Sequence, residues 1–127
     1  MRGFSLLEII VVIVVAGILA TLAVTQYSPV RERAIAREAI AALRLIAAAE
    51  RIYRLELGGY YPPLAASPKT DIAQINRDLQ LLINENNWDY NITRTSADTF
   101  TASAARPSGC LYTIDQAGNE VTGAGCP

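Results

Sequence analysis

The chain has 127 residues, is 51% hydrophobic and 18% charged, and carries a net charge of −1, with much of its apolar excess before residue 25. That leaves about 100 residues for one small domain, and the charge balance provides no general basic field for nucleic acid. Because the sequence contains no histidine, it lacks the commonest general base and metal ligand of enzymes.

The first predicted element is an apolar helix. Residues 9–24 contain eleven Ile, Val or Leu residues and no charge. A helix over residues 4–24 spans roughly 30 Å, the thickness of a bilayer core. The aliphatic side chains outweigh the cost of the single carboxylate, Glu8, near the end of this run. The run therefore predicts a membrane-inserted helix. An ordinary secretory signal is the alternative, but this run is longer than such signals and lacks a good cut site.

The start of the chain reads RGFSLLEIIVVIVVAGILATLAVTQY. A short basic leader ends in Gly3, and Phe4, a small polar residue, two aliphatic residues and Glu8 follow. This pattern closely resembles the N terminus of type IV pilins and the related pseudopilins. The resemblance implies that a prepilin peptidase cuts between Gly3 and Phe4 and methylates the new amine of Phe4. It also implies that Glu8 meets the N-terminal amine of a neighbouring subunit in a filament.

The role implied for Glu8 has a physical rationale. An unpaired charge in hydrocarbon is costly, and an opposite charge on a neighbour relieves that cost. Glu8 would then set the axial offset at which a new subunit joins. The alternative is that its side chain reaches the membrane surface and has no part in assembly. The sequence also departs from the family, which often has a proline at the position of Thr25. The nearest proline is Pro29. Any loosening of the helix is therefore expected either to shift to residues 26–29 or to be weaker than in the family.

Residues 31–57 are rich in Ala, Leu, Arg and Glu and predict a second half of the same helix. Glu50 and Arg54 have the spacing of an i,i+4 ion pair. Gly58 and Gly59 are expected to end the helix. The basic face predicts a solvated surface, with DNA contact as the alternative. One apolar stripe has spacings of three and four, at Ile35, Ala39, Ala42, Ile46, Ala49, Tyr53 and Leu57.

Glycine and proline predict a loop over residues 58–70, and residues 70–86 predict a short helix. In this helix Asp71 and Gln74 have the spacing of a capping box. Five aliphatic residues are expected to face the core: Ile72, Ile75, Leu79, Leu82 and Ile83.

The remaining sequence predicts strands, because large or apolar residues alternate with polar ones. Turns are expected at residues 96–98 and 116–119, and residues 121–122 are a candidate for a short fourth strand. The inward-facing residues of the first three strands are expected to be Trp88, Tyr90 and Ile92, then Phe100, Ala102 and Ala104, then Cys110, Tyr112 and Ile114.

The predicted fold is therefore α+β: a long N-terminal α-helix packed on an antiparallel sheet of three or four strands, as in pilins. The predicted segments are a leader at residues 1–3, a transmembrane and filament-core helix at 4–27, its amphipathic second half at 28–57, and a globular head at 58–127. The head is expected to contain the loop between helix and sheet and a C-terminal disulfide loop.

Cys110 and Cys126 are the only cysteines. A disulfide between them would stabilise the fold by roughly 3 kcal/mol in the chain-entropy model, and pilins often carry such a loop. Free thiols or a metal site are the alternatives, although two sulfurs without histidine make a poor metal site. Asp115, Asn119 and Glu120 have oxygens that suit calcium, but their spacing fits a solvated turn better. Residues 91–93 match a glycosylation sequon, a weak signal inside a strand.

Taken together, these features predict a structural subunit of a type IV pilus filament. The alternatives are a pseudopilin of a type II secretion or DNA-uptake apparatus, and a membrane-anchored binding domain that never polymerises. No catalytic constellation, metal site or cofactor site is predicted. The expected location is the bacterial inner membrane before assembly and an extracellular homopolymer afterwards. Family analogy adds an assembly ATPase and a membrane platform protein as partners, and no nucleic-acid partner is predicted.

Overall fold

The computed structural model describes residues 3–63, 68–118, 120–122 and 125–126. The chain divides into two compact units, Met1–Ala34 and Ile35–Pro127. The described residues have the predicted α+β class, a long N-terminal helix and an antiparallel sheet. Their elements in chain order are α1 (Leu6–Leu57), α2 (Ile72–Asp78), β1 (Asp89–Ser96), β2 (Thr99–Ala105), β3 (Leu111–Asp115) and β4 (Glu120–Thr122).

The first unit is the N-terminal part of α1. The carbonyl of Ser5 accepts hydrogen bonds from the amides of Glu8 (3.0 Å) and Ile9 (3.2 Å), which starts the helix. The Glu8 carboxylate lies in the first helical turn, where the helix dipole favours a negative charge. Every side chain described between residues 3 and 30 is exposed. This segment therefore presents its whole apolar surface to its surroundings.

The helix continues through Pro29. The hydroxyls of Thr21 and Thr25 donate to the carbonyls of Ile18 (2.7 Å) and Leu22 (2.9 Å). Pro29 has no amide hydrogen and so removes one helical bond. The described backbone nevertheless stays helical on both sides of it, without a break at residues 26–29.

In the second unit, α1 packs on the sheet through the predicted stripe, with two differences. Tyr53 is half-buried. Leu57 is exposed because it is the last residue of the helix. Gly58, which follows it, adopts a positive φ of 79°, and its amide donates to the carbonyl of Arg54 (2.8 Å). Glycine thus ends the helix as predicted. The residues of α1 that lie in the hydrophobic core are Ile35, Ala39, Ala42, Leu43, Ile46, Ala47 and Ala49.

The four strands form one antiparallel sheet in the order β1-β2-β3-β4. Ala102 of β2 pairs with Ile92 of β1 and with Ile114 of β3. Ala104 pairs in the same way with Tyr90 and Tyr112, so each row has a small residue between two large ones. The alternation predicted from the sequence is confirmed, because the predicted inward-facing residues of the first three strands are all buried.

The chain just before β1 is fixed to α1 by two side chains. Trp88 is buried, and its indole Nε1 donates to the carbonyl of Ile35 (2.9 Å). Asn87 donates to the Glu38 carboxylate (2.9 Å). A buried indole needs such an acceptor, and here the acceptor holds the start of the sheet against the helix.

The second helix is shorter than predicted. Asp71 caps it by accepting hydrogen bonds from the amides of Ala73 (2.9 Å) and Gln74 (3.4 Å), but the helix ends at Asp78. The prediction that Leu82 faces the core is wrong, since its side chain is 99% exposed. The remaining four predicted residues are buried or partly buried: Ile72, Ile75, Leu79 and Ile83.

Asn76 explains why the helical periodicity fails at Leu82. Its Nδ2 donates to the carbonyl of Ile83 (2.7 Å), and its Oδ1 accepts from the amide of Ile83 (2.9 Å). Gln80, two residues after the end of α2, has a positive φ of 54°, which prevents the backbone from continuing as a helix. These contacts turn Ile83 inward and leave Leu82 outside.

We expect Asn76→Ala to destabilise the head by about 2 kcal/mol, because both backbone groups of Ile83 lose their partner. The measurement is urea unfolding of the full chain in detergent micelles, followed by the fluorescence of Trp88, the single tryptophan. Leu82→Ala is the matched control and should change the stability by less than about 0.5 kcal/mol. Equal unfolding midpoints for the two variants would contradict this account of the turn.

Candidate functional site

The predicted cleavage site lies ahead of the helix. Gly3 and Phe4 precede Leu6, the first residue of α1, in a stretch without regular structure. Phe4 is 80% exposed. A Cβ atom built at Gly3 meets no other atom within 4 Å. The peptide bond between Gly3 and Phe4 is therefore accessible, and the chain itself does not require glycine at this position.

Glu8 lies in the first turn of α1, close along the chain to the predicted new N terminus at Phe4. Its side chain is exposed on a surface that is otherwise aliphatic. A carboxylate in this setting can accept a charge-assisted hydrogen bond from a cation on another molecule. The structure thus places the three predicted N-terminal residues, Gly3, Phe4 and Glu8, within one short stretch.

Within the described residues, α1 is the one helix long and apolar enough to cross a membrane. Its most apolar window of 18 residues is fully exposed in the chain. A buried core helix of similar composition would be covered by other elements, whereas this segment has no cover from its own chain. Its surface is suited to lipid or to apolar surfaces of other molecules.

Cys110 and Cys126 are joined by a disulfide, with their Cα atoms 4.5 Å apart. Cys110 is buried beside the start of β3. Gly125, with a positive φ of 86°, lies so close to the carbonyl of Gly109 that a Cβ atom there would be 2.8 Å from the Gly109 oxygen. The close approach of the two glycine backbones brings the ends of the C-terminal loop together.

We expect the double variant Cys110→Ser/Cys126→Ser to lose about 3 kcal/mol of stability, because the unfolded chain regains the freedom of the closed loop. Urea unfolding of the oxidised full chain in detergent gives the reference value, and reducing the wild type should produce a similar loss. Ser108→Ala, an exposed residue near the loop, is the control. A double variant as stable as this control would contradict the prediction.

Two other motifs from the sequence have structural roles or lie outside the described residues. The Oδ1 atom of Asp115 accepts a hydrogen bond from the amide of Ala117 (2.9 Å), which stabilises the turn after β3. Asn119 and the side chain of Glu120 lie outside the described residues. In the part of the chain that the structure describes, no three Asp, Glu, Cys or His side chains are grouped to hold a metal ion. Asn91 lies within β1 with a buried Oδ1 atom, a poor position for a bulky glycan.

Sequence reasoning missed the environment of Glu50. Its predicted pair with Arg54 is wrong: Glu50 is fully buried, whereas Arg54 is exposed and contacts Asp98 (2.6 Å) and the hydroxyl of Tyr60 (3.2 Å). The helical phase gives the signal, because Glu50 follows the buried Ile46 by four residues and the buried Leu43 by seven.

Glu50 contacts the loop that follows α1. Its Oε2 atom accepts a hydrogen bond from the amide of Tyr61 (2.8 Å). Burial raises the pKa of the Glu50 carboxyl from 4.5 to about 7, against the opposing effects of the Tyr61 hydrogen bond and the positive charge of Arg94. The pKa of this carboxyl therefore lies near neutral pH, and the sequence predicts no functional role for this part of the head.

Comparison with known families supports the N-terminal resemblance. A family model described as the prokaryotic N-terminal methylation motif matches residues 1–24. The match includes Gly3, Phe4 and Glu8, and it supports the type IV pilin and pseudopilin family. Comparison with curated proteins gives no match.

Proposed function

We propose that this chain is a structural subunit of a type IV pilus filament. The observation that carries the proposal is the combination at the N terminus: a methylation motif over residues 1–24 and an apolar helix that its own chain leaves exposed. The motif points to a pilin-like or pseudopilin precursor and to a structural subunit rather than an enzyme. The role in a pilus is our proposal.

In this proposal a prepilin peptidase cuts between Gly3 and Phe4 and methylates the amine of Phe4. The exposed position of this bond ahead of α1 supports access by a peptidase. The helix holds the subunit in the inner membrane until it is transferred into an extracellular filament. An assembly ATPase and a membrane platform protein, both inferred by family analogy, would drive the transfer.

Assembly replaces the lipid around α1 by the helices of sister subunits. Lipid tails are as apolar as these side chains, so association depends on close packing and polar contacts rather than on the hydrophobic effect. Ala16, Gly17 and Ala20 are small residues that permit close approach of helices. In such a low-dielectric bundle the carboxylate of Glu8 requires an opposite charge, which the amine of Phe4 on a neighbour provides.

The head unit has a second apolar row, on the part of α1 that faces solvent. Leu45, Ile52 and Leu55 are all more than half exposed. Together with two exposed alanines they recur at alternating intervals of four and three residues, the spacing of a helix-packing seam. An apolar row of this kind is not required on a helix face that stays in contact with water. Its presence therefore supports packing between subunits. The row consists of Ala41, Leu45, Ala48, Ile52 and Leu55.

Pseudopilins carry the same N-terminal motif and are the second candidate. The C-terminal loop favours the pilus subunit, because it is closed by the disulfide between Cys110 and Cys126, whereas many major pseudopilins use calcium in that region. A single-pass binding domain that never polymerises is the third candidate, and it leaves the exposed row on α1 without a purpose.

Intact mass spectrometry of sheared surface filaments tests the proposal. We expect an abundant protein that begins at a methylated Phe4 and whose mass is two hydrogen atoms lower than that of the dithiol form. The membrane fraction of the same cells, where unassembled subunits should remain, is the reference sample. Absence of the protein from all surface filaments, with an uncut N terminus in the membrane, would contradict the proposal.

A further inference from the structure

Glu50 lies on the face of α1 that packs against the sheet and the following loop. It is the one fully buried charged side chain among the described residues, with 0% of its surface exposed. Its Oε2 atom accepts the hydrogen bond from the amide of Tyr61, whereas its Oε1 atom is buried without a hydrogen-bond partner in the described part of the chain. The neutral carboxyl costs less here than the ionised one, because a buried charge with a single hydrogen bond is far more expensive to desolvate than a neutral polar group.

The loop at residues 58–63 covers Glu50, and other groups hold this loop in place. Arg94 of β1 donates from its guanidinium to the carbonyls of Tyr60 (2.7 Å) and Pro62 (3.4 Å), and also to Ser96 (2.8 Å). It lies against Gly59, where a Cβ atom would collide with it. Because Arg94 is already bonded to the loop, it is not free to move fully toward an ionised Glu50.

The charged and titratable groups around Glu50 come from every neighbouring element. Arg94 on β1 favours its ionised form. Tyr53 on α1 and Tyr61 in the loop both have raised pKa values, mainly because of burial and in part because of the negative charges of Asp78 and Glu50. Asp78 at the end of α2 accepts a hydrogen bond from the Tyr61 hydroxyl (2.9 Å), which places a second carboxylate on the far side of Tyr61.

We propose that the contact between Glu50 and Tyr61 is a pH-sensitive switch that controls how firmly the loop at residues 58–63 is held on α1. When Glu50 is protonated, the loop stays closed over it. When Glu50 ionises, its Oε1 atom can be solvated only if water enters between the loop and the helix. This inference rests on contacts within the head and does not depend on the proposed filament function.

The direction of the effect follows from linkage. A carboxyl whose pKa rises from 4.5 in the unfolded chain to about 7 in the fold stabilises the fold fully below pH 4.5. This stabilisation is lost progressively as the pH rises through 7. The unfolding equilibrium constant should therefore increase by roughly 100-fold or more between pH 4.5 and pH 8 through this group alone.

The test is urea unfolding of the full chain in detergent micelles, followed by Trp88 fluorescence at several pH values from 4.5 to 8. We expect the wild-type midpoint to fall as the pH rises. We expect Glu50→Gln, which resembles the protonated carboxyl, to lose most of this pH dependence. Glu56→Gln is the matched control, because Glu56 lies on the same helix with an exposed side chain, and it should retain the wild-type dependence.

Two measurements on the wild-type chain keep the proposal testable if Glu50→Gln does not fold. The ¹³C chemical shift of the Glu50 carboxyl should titrate near pH 7, and exchange of the Tyr61 amide hydrogen should accelerate across the same range beyond its intrinsic pH dependence. Titration of this carboxyl below pH 5 would overturn the proposal. So would a Glu50→Gln variant that folds and keeps the wild-type pH dependence.

Discussion

Replacement of Glu8 with alanine should abolish surface filaments and leave the amount of protein in the membrane unchanged. Insertion depends on the aliphatic residues of α1. Removal of a carboxylate can only make insertion more favourable, because a charged side chain costs about 2.5–3.5 kcal/mol at the bilayer centre. Assembly depends on the carboxylate, because it neutralises the amine of Phe4 on the neighbouring subunit in the proposed filament.

The expected size of the effect follows from the charge that the substitution leaves behind. Removal of one partner from a buried ion pair costs about 3–5 kcal/mol, since the other charge stays buried without compensation. At each subunit contact this corresponds to a loss of affinity of roughly 100- to 4,000-fold. Because every added subunit repeats the loss, we expect the filaments to disappear rather than to become shorter.

Three measurements on the Glu8 variants separate the explanations. Electron microscopy and blotting of sheared material measure filaments, membrane fractionation measures insertion, and mass spectrometry measures cleavage before Phe4. Glu8→Gln keeps the size without the charge and should behave like Glu8→Ala, whereas Glu8→Asp keeps the charge and should retain part of the assembly. Normal filaments from Glu8→Ala would contradict the role of the charge, and loss of insertion would assign Glu8 to targeting.

Gly3→Val should stop maturation at the precursor. The peptidase proposed here cuts directly after Gly3, and a branched side chain at that position would obstruct the approach to the bond. The chain itself tolerates the change, since a Cβ atom at Gly3 meets nothing within 4 Å. We therefore expect a stable protein in the membrane that retains residues 1–3, lacks methylation at Phe4 and forms no filaments.

Gly17→Ala is the matched control for this experiment. A Cβ atom at Gly17 also meets nothing within 4 Å, and alanine favours a helix by about 1 kcal/mol over glycine. This variant should be cleaved and methylated as in the wild type, which intact mass spectrometry of the membrane fraction can establish. A Gly3→Val chain that still begins at Phe4 would show that glycine is not the determinant of cleavage.

Much of the head could be predicted from the sequence, because its elements follow short repeating patterns. The buried residues of β1, β2 and β3 alternate as predicted, and Gly58 ends α1 through its positive φ. The methylation motif at residues 1–24 was also recognisable, since its residues are contiguous. Such features depend on neighbours in sequence.

The predictions that failed depend on contacts between residues far apart or on a local change of phase. Glu50 looked like a surface residue because its spacing to Arg54 suits an ion pair, but the Tyr61 amide, 11 residues away, is what makes its burial tolerable. Leu82 continued an apolar periodicity that the bonds between Asn76 and Ile83 interrupt. No short pattern in the sequence encodes either contact, although the helical phase alone places Glu50 on the buried face of α1.

The proposed pairing of Glu8 with Phe4 is the central claim, and a high-resolution cryo-electron microscopy structure of purified filaments tests it most directly. We expect the subunit helices to form the filament core, with each Glu8 carboxylate within about 4 Å of the methylated amine of Phe4 on an adjacent subunit, as in an ion pair. Filaments of this chain in which the Glu8 carboxylates lie far from every Phe4 amine, or face solvent, would contradict the claim.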